Sequence, residues 1–241
     1  MGTGKRFQRI LSFILSLAMA VTLLPAQMAY AEGTNAPGNE ANATSPGDGM
    51  GLPKELAHFS FDSEEEIAGK VVGDAAKAKI VSGDNGRDSS PFLQLSGAAI
   101  RALDGSILAG KKELTISYWS KSEGDSGWAF YAAKDNLAVP TDNYIGILDK
   151  AASVAIERYL DGRPAGSSGN AGSLASAWRH VTVVFGEEST EVYVNSERKI
   201  HLTTGQAPLS QILTDKTVLK IGAANWGRGA IESNDADKPG E

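Results

Sequence analysis

From Leu56 onward the chain is written in short runs of alternating apolar and polar residues, with turn material between them. A period of two sends successive side chains to opposite faces of a strand, so each run reads as a strand with one face for a core. Ala57, Phe59 and Phe61 share one face of the first run. Further runs cover residues 78–82, 92–96, 114–121, 128–133, 144–148, 154–159, 180–185, 191–195 and 218–223. Between them lie Gly83-Asp84-Asn85-Gly86, Glu123-Gly124-Asp125, Asp161-Gly162-Arg163-Pro164 and Gly186-Glu187-Glu188, residue types that favour turns. Helix signals are few. Residues 63–77 place acids early and lysines late, as a helix dipole favours, but Gly69 and Gly73 interrupt them; residues 209–213 suit a single turn. Many short strands joined by turns predict an all-β, antiparallel β-sandwich or barrel.

A leader precedes this region. Lys5, Arg6 and Arg9 flank the apolar residues 10–24, and Ala29-Tyr30-Ala31 has the small-x-small pattern that a signal peptidase cuts. The run is short for a membrane span and no charged stop follows it. Residues 1–31 are therefore expected to be a cleaved signal, and the product a secreted, extracellular protein of a bacterium, Gram-positive in type. Residues 32–53 hold Gly, Pro, Asn, Ala and Ser with almost nothing to bury, which predicts a flexible linker. Residues 54–230 form the expected domain. Residues 231–241, with Pro239 and Gly240, are expected to be a disordered or truncated tail.

The leader carries three of the 23 basic residues and none of the 29 acidic ones, so its removal leaves a net charge of −9. Nucleic acid and anionic lipid need clustered Lys and Arg to replace counterions, so neither is an expected partner. Cysteine is absent. No disulfide can hold the fold and no thiolate can act as nucleophile or zinc ligand, so stability rests on the core; a domain of about 150 residues buries roughly 70% of its extended-chain surface.

Five strings, in this order, resemble the laminin-G-like, concanavalin A-type jelly roll: Leu56-Ala57-His58-Phe59-Ser60-Phe61-Asp62, Glu113-Leu114-Thr115-Ile116-Ser117-Tyr118-Trp119, Trp178-Arg179-His180-Val181-Thr182-Val183, Val192-Tyr193-Val194-Asn195 and Leu219-Lys220-Ile221-Gly222. A narrower likeness runs through Trp128-Ala129-Phe130-Tyr131-Ala132, Asn143-Tyr144-Ile145-Gly146, Val154-Ala155-Ile156-Glu157-Arg158-Tyr159 and Ala224-Asn225-Trp226-Gly227. These segments resemble the module attached to secreted bacterial arabinan-degrading enzymes of glycoside hydrolase family 43. The resemblance implies a plant-type polysaccharide or oligosaccharide as partner and a catalytic domain in a parent protein, while a shared fold alone implies no activity. Such modules end in a closing strand of aliphatics, Arg and Tyr. Residues 231–241 contain Ile231 as their one sizeable aliphatic, so the jelly roll is expected to lack that strand.

Catalysis on this fold would need two carboxylates about a glycosidic bond. The Glu-x-Asp-x-Glu string of jelly-roll glucanases is missing, and Glu64-Glu65-Glu66, being consecutive, reads as a solvated charge run. No catalytic residue is assigned, and the chain by itself is not expected to be catalytic. His58, His180 and His201 lie far apart in sequence and form no metal-ligand pair, so structural or surface roles are expected. The resemblance makes Asp62 a candidate calcium ligand, with a strand-end turn residue as its plain alternative. For binding, sugar C–H faces stack on aromatic rings while a few polar groups orient the hydroxyls. The candidates are Trp128, Tyr131, Tyr144, Arg158, Tyr159 and Trp226. Strict alternation puts Tyr131 opposite Trp128 and Phe130, and Arg158 opposite Tyr159. Trp119 and Trp178 are expected in the core. The expected function is a secreted, non-catalytic carbohydrate-binding or accessory module of an arabinan-degrading hydrolase. The alternative is a structural or protein-interaction jelly roll of a cell-surface protein.

Overall fold

The computed structural model of the protein describes residues 55–122, 127–134, 143–166 and 177–222, together with a short backbone strand at 13–16. In chain order the strands are β1 (Phe13–Ser16), β2 (Val71–Gly73), β3 (Ala78–Val81), β4 (Phe92–Leu95), β5 (Ala98–Asp104), β6 (Leu114–Ser122), β7 (Trp128–Lys134), β8 (Tyr144–Lys150), β9 (Ser153–Leu160), β10 (Arg163–Pro164), β11 (Arg179–Phe185), β12 (Thr190–Val194), β13 (Glu197–Leu202) and β14 (Thr217–Ile221). They form two antiparallel sheets, β13-β12-β11-β6-β1-β4-β3 and β10-β9-β8-β7-β14-β5-β2. The all-β sandwich expected from the pattern is the fold observed.

Alternation does most of the building. In β11 the side chains of Val181, Val183 and Phe185 are fully buried, while His180, Thr182 and Val184 on the other face are only partly covered. Its partner β12 repeats the rhythm with Val192 and Val194 inside, in register with Val183 and Val181. Each such side chain removed from water stabilises the sandwich by about 2 kcal/mol. Facing them across the core are Ile145, Ile147, Val154, Ile156, Leu219 and Ile221 from the other sheet. A buried ion pair also joins the layers: Arg179 on β11 donates to Asp149 on β8, and Ser120 on β6 donates to the same carboxylate.

Three expectations are corrected. The run at Leu56 is not a strand: Phe61 takes a left-handed φ of 56°, which bends the chain out of extension. Phe59 and Phe61 are nonetheless buried, their rings stacked with centroids 5.8 Å apart. Second, Glu64–Glu66 is not merely a solvated run. The Glu66 carboxylate accepts from the Ser60 and Asp62 amides and the Ser60 hydroxyl, and Glu64 accepts from the Ile80 amide, so these acids tie the bent opening segment and β3 together. Third, Trp119 and Trp178 are not core residues. Trp119 lies on the outer face beneath the Arg87 guanidinium, 4.2 Å from its ring centroid, and Trp178 donates Nε1–H to the Asn85 carbonyl at 3.1 Å. The inward aromatic of β6 is Tyr118.

Candidate functional site

The outer side of β7, β8 and β9 gathers four of the six candidate binding residues. Strict alternation would separate Trp128 from Tyr131, but β7 carries a bulge. Trp128 pairs with Leu148, and the next matched pairs are Phe130 with Ile147 and Tyr131 with Gly146, leaving Ala129 as the extra residue. The bulge returns Trp128 and Tyr131 to one face and parts Trp128 from Phe130, which points into the core. On β8 and β9, Tyr144 is directly opposite Tyr159, and Gly146 is opposite Glu157.

The rings form a continuous chain of contacts. Trp128 meets Tyr131 edge-on at 5.2 Å, Tyr131 meets Tyr144 at 5.0 Å, and Tyr144 stacks on Tyr159 at 4.5 Å with planes 12° apart. Gly146 makes room for the indole: a Cβ there would lie 2.2 Å from Trp128 Cζ3. The Tyr144 hydroxyl donates to Glu157 Oε2 at 2.6 Å. Burial first, and then this bond to a carboxylate, raise the Tyr144 phenol far above its ordinary range, so it remains a donor at any physiological pH. Glu157 Oε1 has no hydrogen-bond partner among the described residues. Trp128, Tyr131 and Tyr144 are only 6%, 1% and 1% exposed, whereas Tyr159 and Glu157 are half-buried. The cluster therefore has a packed floor and two accessible members.

Arg158 does not belong to this group, which corrects its assignment as a ligand contact. It lies opposite Tyr159, as alternation predicts, and its side chain is fully buried on the inner face. Nη1 donates to the Ala207 and Glu187 carbonyls at 2.8 and 3.2 Å, and Nη2 to those of Gly186 and Ser189 at 2.8 and 3.3 Å. Burial lowers its pKa to about 10, with Glu187 opposing the shift, so the guanidinium stays charged and clasps the turn between β11 and β12. Trp226 lies outside the described residues.

Asp62 stands exposed just after the bend, its amide held by Glu66. Among the described residues no group of three or more acidic or histidine side chains comes together that could hold a metal ion. The histidines are dispersed: His58 meets Glu55, His180 shares a hydrogen bond with Ser117 Oγ at 2.9 Å, and His201 pairs with Glu191. Sequence reasoning did not single out Glu157. Its signal was present in the narrower resemblance, but only the register opposite Gly146 shows that it faces the aromatic cluster.

Residues 96–233, more than half of the chain, match the Laminin_G_3 family model, described as the concanavalin A-like lectin/glucanases superfamily. The chain belongs to this family. Among solved structures it is similar to an endo-β-1,3-glucanase from Pyrococcus furiosus, at 13% identity over 70% of this chain and 68% of that one, with a TM-score of 0.38. A Bacillus licheniformis β-glucanase is 15% identical over 71% and 78% of the two chains, with a TM-score of 0.33. Domains LG4-5 of the mouse laminin α1 chain are 17% identical over 47% of this chain, which spans 28% of that one, with a TM-score of 0.37. No curated protein matches the sequence.

Proposed function

We infer that this lectin/glucanase-superfamily chain is an exported, non-catalytic carbohydrate-binding module that contacts polysaccharide on the outer side of β7–β9. The aromatic cluster closed by Tyr159 and Glu157 carries this reading. A half-buried tyrosine ring braced by Tyr144 offers a rigid apolar surface to a sugar face, and Glu157 Oε1 beside it can accept from a hydroxyl. Among the described residues Glu157 is the acid bonded to these rings, and one carboxylate is half of what glycoside hydrolysis requires. The resemblance to the arabinan-enzyme module supports arabinan as the ligand and a neighbouring hydrolase domain in a longer protein. The leader supports export.

Affinity electrophoresis in gels containing arabinan, xylan or β-glucan tests the reading. Saturable retardation by arabinan, lost in Tyr159→Ala and weakened in Glu157→Gln, is expected. Release of reducing sugar that Glu157→Gln abolishes would overturn the non-catalytic part. Burial of Trp128, Tyr131 and Tyr144 favours a second reading, in which the cluster only packs and the module is a structural or protein-interaction domain. Absence of retardation by all three polysaccharides would decide for it.

A further inference from the structure

The sheet β13-β12-β11-β6-β1-β4-β3 is completed by a strand from the leader. Phe13–Ser16 pairs antiparallel on both sides: Phe13, Ile14 and Leu15 stand opposite Leu95, Gln94 and Leu93 of β4, and Phe13 to Ser16 stand opposite Ser122, Lys121, Ser120 and Trp119 of β6. These four residues belong to the apolar run that a signal peptidase is expected to release. Because β1 is antiparallel to both neighbours, β4 and β6 run parallel to each other, about 10 Å apart at the usual strand spacing. That gap admits one strand. Direct pairing of β4 with β6 would need a parallel ladder and a strand-wide slide of core residues Leu93 and Leu95 over the opposite sheet. An empty gap would leave two rows of N–H and C=O groups unpaired in the middle of a sheet.

We propose that the gap between β4 and β6 is a strand-acceptor site whose occupant is the chain's own apolar N-terminal run. The run then has two uses: it addresses the chain for export, and while retained it completes the sheet between β4 and β6. A cut after Ala31 turns the filled gap into an open one that binds the same segment in trans. Antiparallel pairing on both sides supplies the attraction, and the register places Phe13 and Leu15 in the rows of the core-facing Leu95 and Leu93. This inference is independent of the carbohydrate reading.

The test compares the full chain with its leader retained, the chain beginning at Glu32, and the shorter chain mixed with a synthetic peptide of residues 11–18. Amide exchange at β4 and β6 should be slow in the first, fast in the second and slow again in the third, with a scrambled peptide inert. Equal protection and melting temperature in the first two chains would overturn the proposal, as would a peptide without effect. Should the shorter chain not fold, two full-length variants decide the matter. Ile14→Pro removes a donor from the middle of the proposed strand and should lower the melting temperature by more than about 5 °C, whereas Leu23→Pro, outside it, should not. Equal effects of the two prolines would overturn the assignment.

Discussion

Arg158 and Tyr159 are neighbours in sequence, yet they serve opposite sides of one sheet. Inside, Arg158 replaces an apolar side chain with a buried charge whose donors reach four backbone carbonyls, fastening the turn between β11 and β12 to β9. Outside, Tyr159 ends a row of rings and keeps part of its surface accessible. Within an otherwise apolar inner face Arg158 adds cohesion through its hydrogen bonds, whereas the outer face packs aromatic rings and leaves Tyr159 half-buried. Residue type would suggest the reverse, an arginine at the ligand and a tyrosine in the core. Burial and hydrogen-bond partners decide otherwise.

This contrast breaks if an inner-face change alters sugar retention without altering stability. Arg158→Met should have the largest effect, because it strands the carbonyls of Gly186, Ser189 and Ala207 without a charged donor. A loss of about 3 kcal/mol is expected by urea unfolding, with retention on arabinan unchanged in the folded fraction. Gly146→Ala comes next. The added Cβ strikes the Trp128 ring, and shifting the indole should cost about 2 kcal/mol and weaken retention as well. A melting temperature within one degree of the parent would show that the ring is loosely seated. Tyr144→Phe keeps the ring and removes the hydrogen bond to Glu157, for about 1 kcal/mol of stability. It sharpens the comparison, since a freed Glu157 should change ligand affinity if that carboxylate faces the sugar.

The smallest effect concerns pH. Burial tends to raise the Glu66 carboxyl, but hydrogen bonds from the Ser60 hydroxyl and from the Phe61, Asp62 and Ser60 amides outweigh it and hold the group below its ordinary value. Glu187 is lowered by Ser210, through its hydroxyl and then its amide. With folded values depressed, the unfolded chain binds protons more readily, so stability is full above the ordinary carboxylate range and is lost as pH falls through the folded values. Glu66→Gln should flatten this acid slope in thermal melts taken between pH 6 and 3, and an unchanged slope would remove Glu66 from the account.

The pattern of the chain made the sandwich legible. Nine of its runs coincide with strands to within about two residues, because burial of one face imposes a period of two that composition records directly. The strand β5 escaped that reading, since Ala98, Ala99 and Ala102 hardly differ from loop residues in apolar contrast, and β13 escaped it because Ile200 is its one fully buried side chain. The run at Leu56 misled for a different reason: burying Phe59 and Phe61 requires that both be covered, which the left-handed bend at Phe61 achieves without a ladder.

The candidate site was legible in its residue types and not in its geometry. Sequence by itself determined a two-sheet, disulfide-free sandwich with tyrosines and tryptophan concentrated between residues 128 and 159, because alternation, turn residues and the absence of cysteine act locally along the chain. Tertiary structure alone decided that Trp128 and Tyr131 share a face, that Glu157 stands opposite Gly146 beside them, and that of the two faces alternation gives to Arg158 and Tyr159 it is the arginine's that is buried. A single extra residue in β7 reverses the facing of Trp128 before it, and the register that sets Glu157 opposite Gly146 is fixed by the geometry of the hairpin turn at Ala151-Ala152, neither of which a period of two encodes.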